Sequence, residues 1–362
     1  MTVYVFGSNA ISQFGLGEDY TSTHIPQQIP FFDNIKIKKV KCGTIHTLVL
    51  TEDNKLFSWG CNDEYALGRS GDEFYPQEVI LPEKPIDIAC GTSISACITE
   101  KNNVFVWGTF RNFNGVYGFD KNTKIQKTPK KITTKFEKFK FTSIECGSNF
   151  VCLLDKNKII WTFGSNDFNE LGRRSSLRSK DSSLFPGQIF SSRKKNENHK
   201  FRLVRCGRNH ALAINTDNEV YAWGSNIYGQ LGIGNDHETK NKHKINISNV
   251  MDAAGGLHHS LFLTFDGKLY GAGNNDQGQL GILGKNNCHS PELIIENVKK
   301  VKSYENYSIC QIDNSLFSFG ISFLGGTGFE EVEILTPRKI PFEFPEILDF
   351  AVGSNFTIVV TK

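Results

Sequence analysis

Apolar and polar positions alternate along most of this chain, in short runs broken by polar turns. The clearest stretch, VKCGTIHTLVLTEDNKLFSWG from Val40 to Gly60, holds two alternating runs around the turn Thr51-Glu52-Asp53-Asn54. That pattern predicts a β-hairpin. It returns as IACGTSISACITEKNNVFVWG, IECGSNFVCLLDKNKIIWTFG, VRCGRNHALAINTDNEVYAWG and AAGGLHHSLFLTFDGKLYGAG. Each run leads into a glycine, at Gly7, Gly60, Gly108, Gly164, Gly224, Gly273 and Gly320. The turn-rich segments that follow close, or nearly close, on Leu-Gly. Six intervals cover 313 residues, roughly 52 each, a period of the size that marks propellers and solenoids.

The ends of the chain separate those two architectures. It stops at VGSNFTIVVTK, halfway through a hairpin, and starts with TVYVFG, the half that is missing. Placing Val3 to Phe6 beside Thr357 to Val360 would complete the last blade and close a ring, leaving only short protected edges. The expected fold is all-β, a seven-bladed β-propeller whose last blade is closed by pairing of the N-terminal and C-terminal strands. Residues 1–362 would form this single domain. An open solenoid needs distinct capping repeats, and the paired glycines of a kelch propeller do not recur in phase, since Gly255-Gly256 and Gly325-Gly326 fall at different ones.

Composition adds compartment. Charged residues at 22% and hydrophobic residues at 39% are globular values that argue against disorder. The start MTVYVFGSN lacks a basic n-region, and no apolar run approaches membrane-spanning length. A soluble intracellular protein with no membrane partner is expected. Cys42, Cys90, Cys146 and Cys206 occupy one repeat position that other copies fill with Gly255, Ser303 and Val352. The position calls for a small residue, so these read as reduced core thiols rather than a disulfide or metal framework.

His46, His210 and His259 share a phase with Ile94, Phe150, Tyr307 and Phe356, and are expected to be packed histidines bridging blade backbones. His258 is one residue out of that phase and free for another task. Gly281 to Lys285 lacks the spacing and the Ser or Thr of a phosphate loop, and HExxH and GxSxG do not occur. No covalent catalysis, cofactor or metal is expected, and no convergent cluster of titratable residues is readable for a channel site.

Repeats of the form CGxxHTLxLTxxxxLxxWGxNxxGQLG are similar to those of the regulator of chromosome condensation superfamily, over nearly the whole chain. That resemblance implies the propeller, but activities in the superfamily range from exchange factors to ubiquitin-ligase domains, photoreceptors and enzyme inhibitors. Two segments narrow it. GCNDEYALGR, Gly60 to Arg69, is close to the signature of the family's chromatin-bound guanine-nucleotide exchange factor for the GTPase Ran. WGTFRNFNGVYGF, Trp107 to Phe119, replaces the usual SNxxGQLG turn and resembles the wedge that such a factor presses against Ran.

On that resemblance Phe110, Arg111, Asn112, Phe113, Asn114, Gly115, Val116 and Tyr117 form a GTPase-binding wedge, and Thr92, Asn149, Arg173 and His258 lie on the GTPase-binding face. Phe110 and Phe113 read as exposed aromatics suited to insertion; a merely solvated loop is the alternative. Thr92 and Asn149 stand where the family has aspartates, and Phe356 where it has a histidine. Arg69 holds the same repeat position as Arg173, which leaves Arg173 open between a partner contact and an intramolecular ion pair.

Charge is unevenly spread. Lys121 to Lys140 carries net +7 and Arg173 to Arg202 another +7, leaving −11 for the rest of a chain whose total is +3. The second segment resembles, in position and basic character, the loop through which the family member docks on nucleosomes. By that likeness Arg174, Arg178 and Lys180 would meet an acidic histone surface, and Arg193, Lys194, Lys195, His199 and Lys200 would meet DNA phosphates. Solubilising loops are the alternative. The expected protein is a monomeric, chromatin-associated nuclear exchange factor acting on a Ran-type small GTPase. The other reading is a non-catalytic interaction propeller, a chromatin or ubiquitin-pathway adaptor.

Overall fold

A computed structural model of the protein describes residues 1–120, 122–132, 139–174, 181–189 and 199–362. Among these residues seven four-stranded antiparallel sheets form the blades of a propeller. Blade 1 runs outward from the central channel as Ile37–Cys42, His46–Thr51, Leu56–Gly60 and Gln77–Glu78. Blade 2 comprises Pro85–Cys90, Ile94–Thr99, Val104–Gly108 and Gln126–Lys131, and blade 3 Phe141–Cys146, Phe150–Asp155, Ile160–Gly164 and Gly187–Gln188. Blades 4 to 6 repeat the order from Phe201, Val250 and Val298.

Blade 7 joins the two ends of the chain. Ile347–Val352 and Phe356–Thr361 supply its inner strands, Thr2–Gly7 and Thr23–Gln28 its outer ones. Val3 pairs with Val360 and Phe6 with Thr357, the register expected from the complementary ends. Blade 7 is thereby completed as a four-stranded sheet like the other six. No helix among the described residues is long and apolar enough to cross a membrane.

The recurrent glycine has a steric cause. All seven adopt φ between +91° and +124°, because the third strand ends by turning across the start of the second. A Cβ on Gly108 would lie 2.1 Å from Ser93 O, and the same contact recurs in every blade, as at Gly7 against Asn355 O at 2.2 Å. The next residue uses that carbonyl, so Thr109 N–H donates to Ser93 O at 2.8 Å.

Neighbouring blades are tied by the aromatic residue before that glycine. Trp59, Trp107 and Trp223 donate Nε1–H to Gln13 O, Ala66 O and Glu170 O in the preceding blade, at 2.9, 2.7 and 2.8 Å. All three indoles are fully buried, where such a donor needs a partner.

The packed histidines make a related bridge, with one correction. They reach a serine of the next blade rather than its backbone. His46 Nε2 lies 2.8 Å from Ser95 Oγ, His210 Nε2 2.9 Å from Ser260 Oγ and His259 Nε2 2.9 Å from Ser308 Oγ. Each serine hydroxyl donates onward to a turn carbonyl, Ala66 O, Gln230 O or Gln279 O, so the serine oxygen accepts from an imidazole N–H. Where the histidine position is Ile94 or Phe150, the facing residue is Val151 or Ala211. Those two pairs are apolar, whereas Phe356 has the polar Thr47 at the matching position.

The channel contains a cavity of about 110 Å³ lined by all seven inner strands, with Cys42, Cys90, Cys146 and Cys206 among its walls. All four are free thiols. It also holds charges that sequence reading did not bring together. Lys41 donates to Glu145 at 2.6 Å, and Arg205 bridges Glu145 at 3.0 Å and Asp252 at 2.9 Å, while Lys39 pairs with Asp87. Burial pushes the Glu145 carboxyl up, but Lys41 and Arg205 outweigh it and hold it down to about 2. These side chains precede the small-residue position by one or three residues, the inward phase of each inner strand.

Candidate functional site

Blade 2 breaks the repeat where its third strand ends. Instead of a tight turn, Phe110–Asn112 and Gly115–Gly118 form a separate two-stranded hairpin before the chain returns at Gln126–Lys131. Phe110 faces Gly118, Arg111 faces Val116 and Asn112 faces Gly115, with an irregularity between the first two pairs. Phe113 and Asn114 make the tip. Gly115 follows at φ +98° with open space around it, the left-handed residue that such a hairpin loop requires.

Alternation within the hairpin decides which aromatic is presented. Phe113 is 73% exposed and Val116 40%, but Phe110 is 1% exposed. The expectation of two exposed aromatics is corrected here. The Phe110 ring packs edge-on against Phe163 with centroids 5.9 Å apart, and its Cε1 lies 3.0 Å from where a Cβ on Gly164 would be. Phe110 is thus the root of the hairpin, set into blade 3, and Phe113 is its tip.

An isolated two-stranded hairpin is marginal in water, so its contacts fix its position. Arg111 N–H donates to Asn149 Oδ1 at 2.9 Å and Phe113 N–H to Asp167 Oδ2 at 2.8 Å, both acceptors in blade 3. The Phe113 ring stands 4.8 Å from that of Phe168, and Tyr117 Oη lies 2.7 Å from Ser183 Oγ. On the other side the Arg111 guanidinium pairs with Glu64 of blade 1. Three adjacent blades therefore hold this segment. Glu64, Asp167 and Phe168 were not singled out from sequence; their signal was the neighbouring copies CNDEYALG and SNDFNELG, whose turns flank the wedge in space.

Thr92, Asn149 and His258 lie on the same face as the hairpin. Each belongs to the short link between the first two strands of its blade. Thr92 sits at the channel rim, accepting a hydrogen bond from Thr44 Oγ1 at 3.1 Å and donating its N–H to Ser148 O at 2.8 Å. The half-buried His258 ring stacks against Tyr228 at 4.5 Å. Burial, with the nearby Arg208, lowers its pKa to about 4, so the imidazole is neutral at ordinary pH, and its buried Nδ1 has no hydrogen-bond partner among the described residues.

Arg173 is placed differently. Its guanidinium turns into its own blade and donates to Thr162 O at 3.0 Å, Ser182 O at 2.7 Å and Phe185 O at 2.9 Å. Burial lowers its pKa to about 10. Arg69 does the same in blade 1, toward Ser58 O and Asp72 O, each at 2.7 Å. Neither guanidinium is held free for a partner, and among the described residues neither forms the alternative ion pair; both arginines knit the outer loop of a blade to its third strand through carbonyls.

Arg178, Lys180, Arg193, Lys194 and Lys195 lie outside the described residues. Arg174 is exposed. Lys242 Nζ donates to His199 Nδ1 at 3.0 Å, and Lys200 Nζ to Asn157 O at 2.9 Å. Asn157 is in the hairpin turn between Phe150–Asp155 and Ile160–Gly164, at the end of blade 3 remote from Asn149. His199 and Lys200 are therefore on the face opposite the wedge, near the exposed Lys140, Lys156 and Lys158.

A family model described as the RCC1-like domain matches residues 2–359. The protein is 29% identical over 276 residues to the guanine nucleotide exchange factor SRM1 of Saccharomyces cerevisiae, covering 66% of this chain and 56% of SRM1. It is 28% identical over 386 residues to the regulator of chromosome condensation of Xenopus laevis, covering 99% of this chain and 89% of the frog protein. The protein thus spans little more than half of the first relative. In structure it is similar to yeast RCC1 (Prp20) bound to Kap60, with a TM-score of 0.91 and 26% identity over 99% of this chain and 88% of that one. A second structure of Prp20p from S. cerevisiae, studied with its binding to Gsp1p and histones, gives a TM-score of 0.90 and 26% identity, covering 99% and 90%.

Proposed function

The chain belongs to the RCC1-like domain family, and from that premise we propose that it is a guanine-nucleotide exchange factor for a Ran-type small GTPase, held on chromatin in the nucleus. The observation that carries the reading is the hairpin from Phe110 to Gly118, which presents Phe113 at 73% exposure from a base tied to three blades. A relative named as an exchange factor, and a structural neighbour studied for binding Gsp1p and histones, support it.

Exchange needs no covalent chemistry. A factor that binds the nucleotide-free GTPase more tightly than the loaded one must, by reciprocity, weaken the hold on the nucleotide. In this reading Phe113 and Val116 enter an apolar recess of the GTPase, where aromatic anchors in desolvated pockets contribute most. Phe110 roots the hairpin, and Asn149, Asp167 and Glu64 fix its direction. Thr92 and neutral His258 supply hydrogen bonds on the same face. Since Thr92 and Asn149 replace aspartates of the family, the face exchanges charge for hydrogen bonding, and its partner is expected to be matched accordingly.

Chromatin docking would use Arg174, Arg178, Lys180, Arg193, Lys194, Lys195, His199 and Lys200, cations that neutralise DNA phosphate without reading sequence. His199 and Lys200, on the face away from the wedge, leave room for both partners at once. The altered Thr92, Asn149 and Phe356 positions favour, as a second reading, an adaptor that binds its partner without releasing nucleotide. A Ran-type GTPase preloaded with fluorescent GDP separates the two: the exchange factor speeds release in excess GTP, and the adaptor binds without doing so.

A further inference from the structure

A single Asn-Gly pair occurs in the sequence, Asn114-Gly115, and it stands at the tip of the wedge hairpin. Asn114 is exposed. Its backbone N–H is held by Asn112 Oδ1 at 3.0 Å, while its own carboxamide has no hydrogen-bond partner among the described residues. The residue that follows has no side chain, and nothing lies within 4 Å of the place where a Cβ would be. Asparagines at other turns, such as Asn54, Asn169 and Asn218, are followed by Lys55, Glu170 and Glu219, whose side chains crowd the next backbone nitrogen.

We propose that Asn114 is a site of spontaneous deamidation that converts the wedge tip to isoaspartate. The Gly115 nitrogen attacks Asn114 Cγ and forms a new C–N bond. The bond from Asn114 Cγ to its amide nitrogen Nδ2 breaks, and that nitrogen leaves as ammonia with the proton lost from Gly115. The resulting five-membered imide is opened by water at either carbonyl, giving aspartate or isoaspartate. Water is the only co-reactant. In the isoaspartate product the backbone runs through the former side-group methylene, which lengthens a hairpin tip whose pairs, Asn112 with Gly115 and Arg111 with Val116, fix its register. Phe113 is then displaced from Asp167 and Phe168. Loss of exchange on ageing rests on the exchange-factor reading; the modification itself does not.

The test ages the full-length protein in mildly alkaline buffer at body temperature and follows the tryptic peptide Asn112 to Lys121 by mass spectrometry. The expected result is amide-to-acid conversion at Asn114 ahead of every other asparagine, with isoaspartate as the larger product. Nucleotide-release activity should fall in step and recover on treatment with a protein isoaspartyl methyltransferase, while an Asn114→Gln variant of unchanged circular dichroism, whatever its starting rate, should lose none of that rate on ageing. Conversion at Asn114 no faster than elsewhere overturns the site. Conversion with unchanged release overturns its consequence for exchange. A fresh preparation that fails to accelerate release refutes the exchange reading instead, and the peptide measurement still decides the modification.

Discussion

Asn149 Oδ1 accepts the Arg111 N–H at 2.9 Å, so a rim residue of blade 3 sets the base of a hairpin that belongs to blade 2. The contact is not special to the wedge. Asn355 Oδ1 accepts the Phe323 N–H at 3.2 Å, and Arg111 and Phe323 each stand three residues beyond their blade's glycine. The wedge is built on a seat that the repeat already provides.

Asn149→Ala should therefore lower exchange several-fold while costing the fold about 1 kcal/mol or less, the usual net worth of one hydrogen bond. Asn149→Asp keeps the acceptor and should retain most of the activity. Nucleotide release and denaturant midpoints on the same preparations check this, and equal loss in both variants would show that Asn149 does not act through Arg111.

The two phenylalanines of the hairpin should separate activity from stability. Phe113→Ala removes an exposed ring and should leave the melting temperature unchanged while abolishing acceleration. Phe110→Ala empties a buried position and should cost about 3–5 kcal/mol of stability. If Phe113→Ala retained full activity, the tip would not be the contact.

Ser260→Ala should strand the buried His210 Nε2–H and cost about 1–3 kcal/mol. Adding His210→Phe, which copies the apolar Phe150 and Ala211 pair, should recover part of that loss. A double-mutant cycle by chemical denaturation measures the coupling, and strict additivity would contradict it.

Acid should destabilise the propeller through the same histidines. Burial lowers His46 to about 4, and His210 and His259 to about 3, from 6.5. Below 6.5 the unfolded state binds protons that the folded state refuses, so their contribution, complete above that pH, is lost as pH falls toward 4 and 3. Glu145, held down to about 2 from 4.5, adds to the loss below 4.5. Glu170, raised by burial to about 7, opposes it: its contribution is complete below 4.5 and lost as pH rises through 7. Three histidines against one carboxyl predict a melting temperature that declines below pH 6.5. The double variant His210→Phe, Ser260→Ala should decline less steeply.

The blade count, the glycine phase and the closure of blade 7 were legible in the sequence because each follows from local geometry repeated seven times. A Cβ on Gly108 meets a carbonyl of its own blade, and strand alternation at Val3 to Phe6 and Thr357 to Val360 needs no knowledge of distant residues. The wedge stood out as a break in that pattern. The direction of its side groups did not, since Phe110 turns inward only because Phe163 and Gly164 of the next blade receive it. Arg173 was equally opaque, its partners being carbonyls that any residue carries. In the channel, Lys41 meets Glu145 across 104 residues of sequence, a pairing that only the closed ring creates.

The most direct test of the central claim is nucleotide release from a Ran-type GTPase loaded with fluorescent GDP, in excess GTP, with the native protein and with Phe113→Ala. The account predicts at least about tenfold acceleration by the native protein, equivalent to about 1.4 kcal/mol, and the spontaneous rate with the variant. Release at the spontaneous rate with the native protein and its cognate GTPase would contradict it.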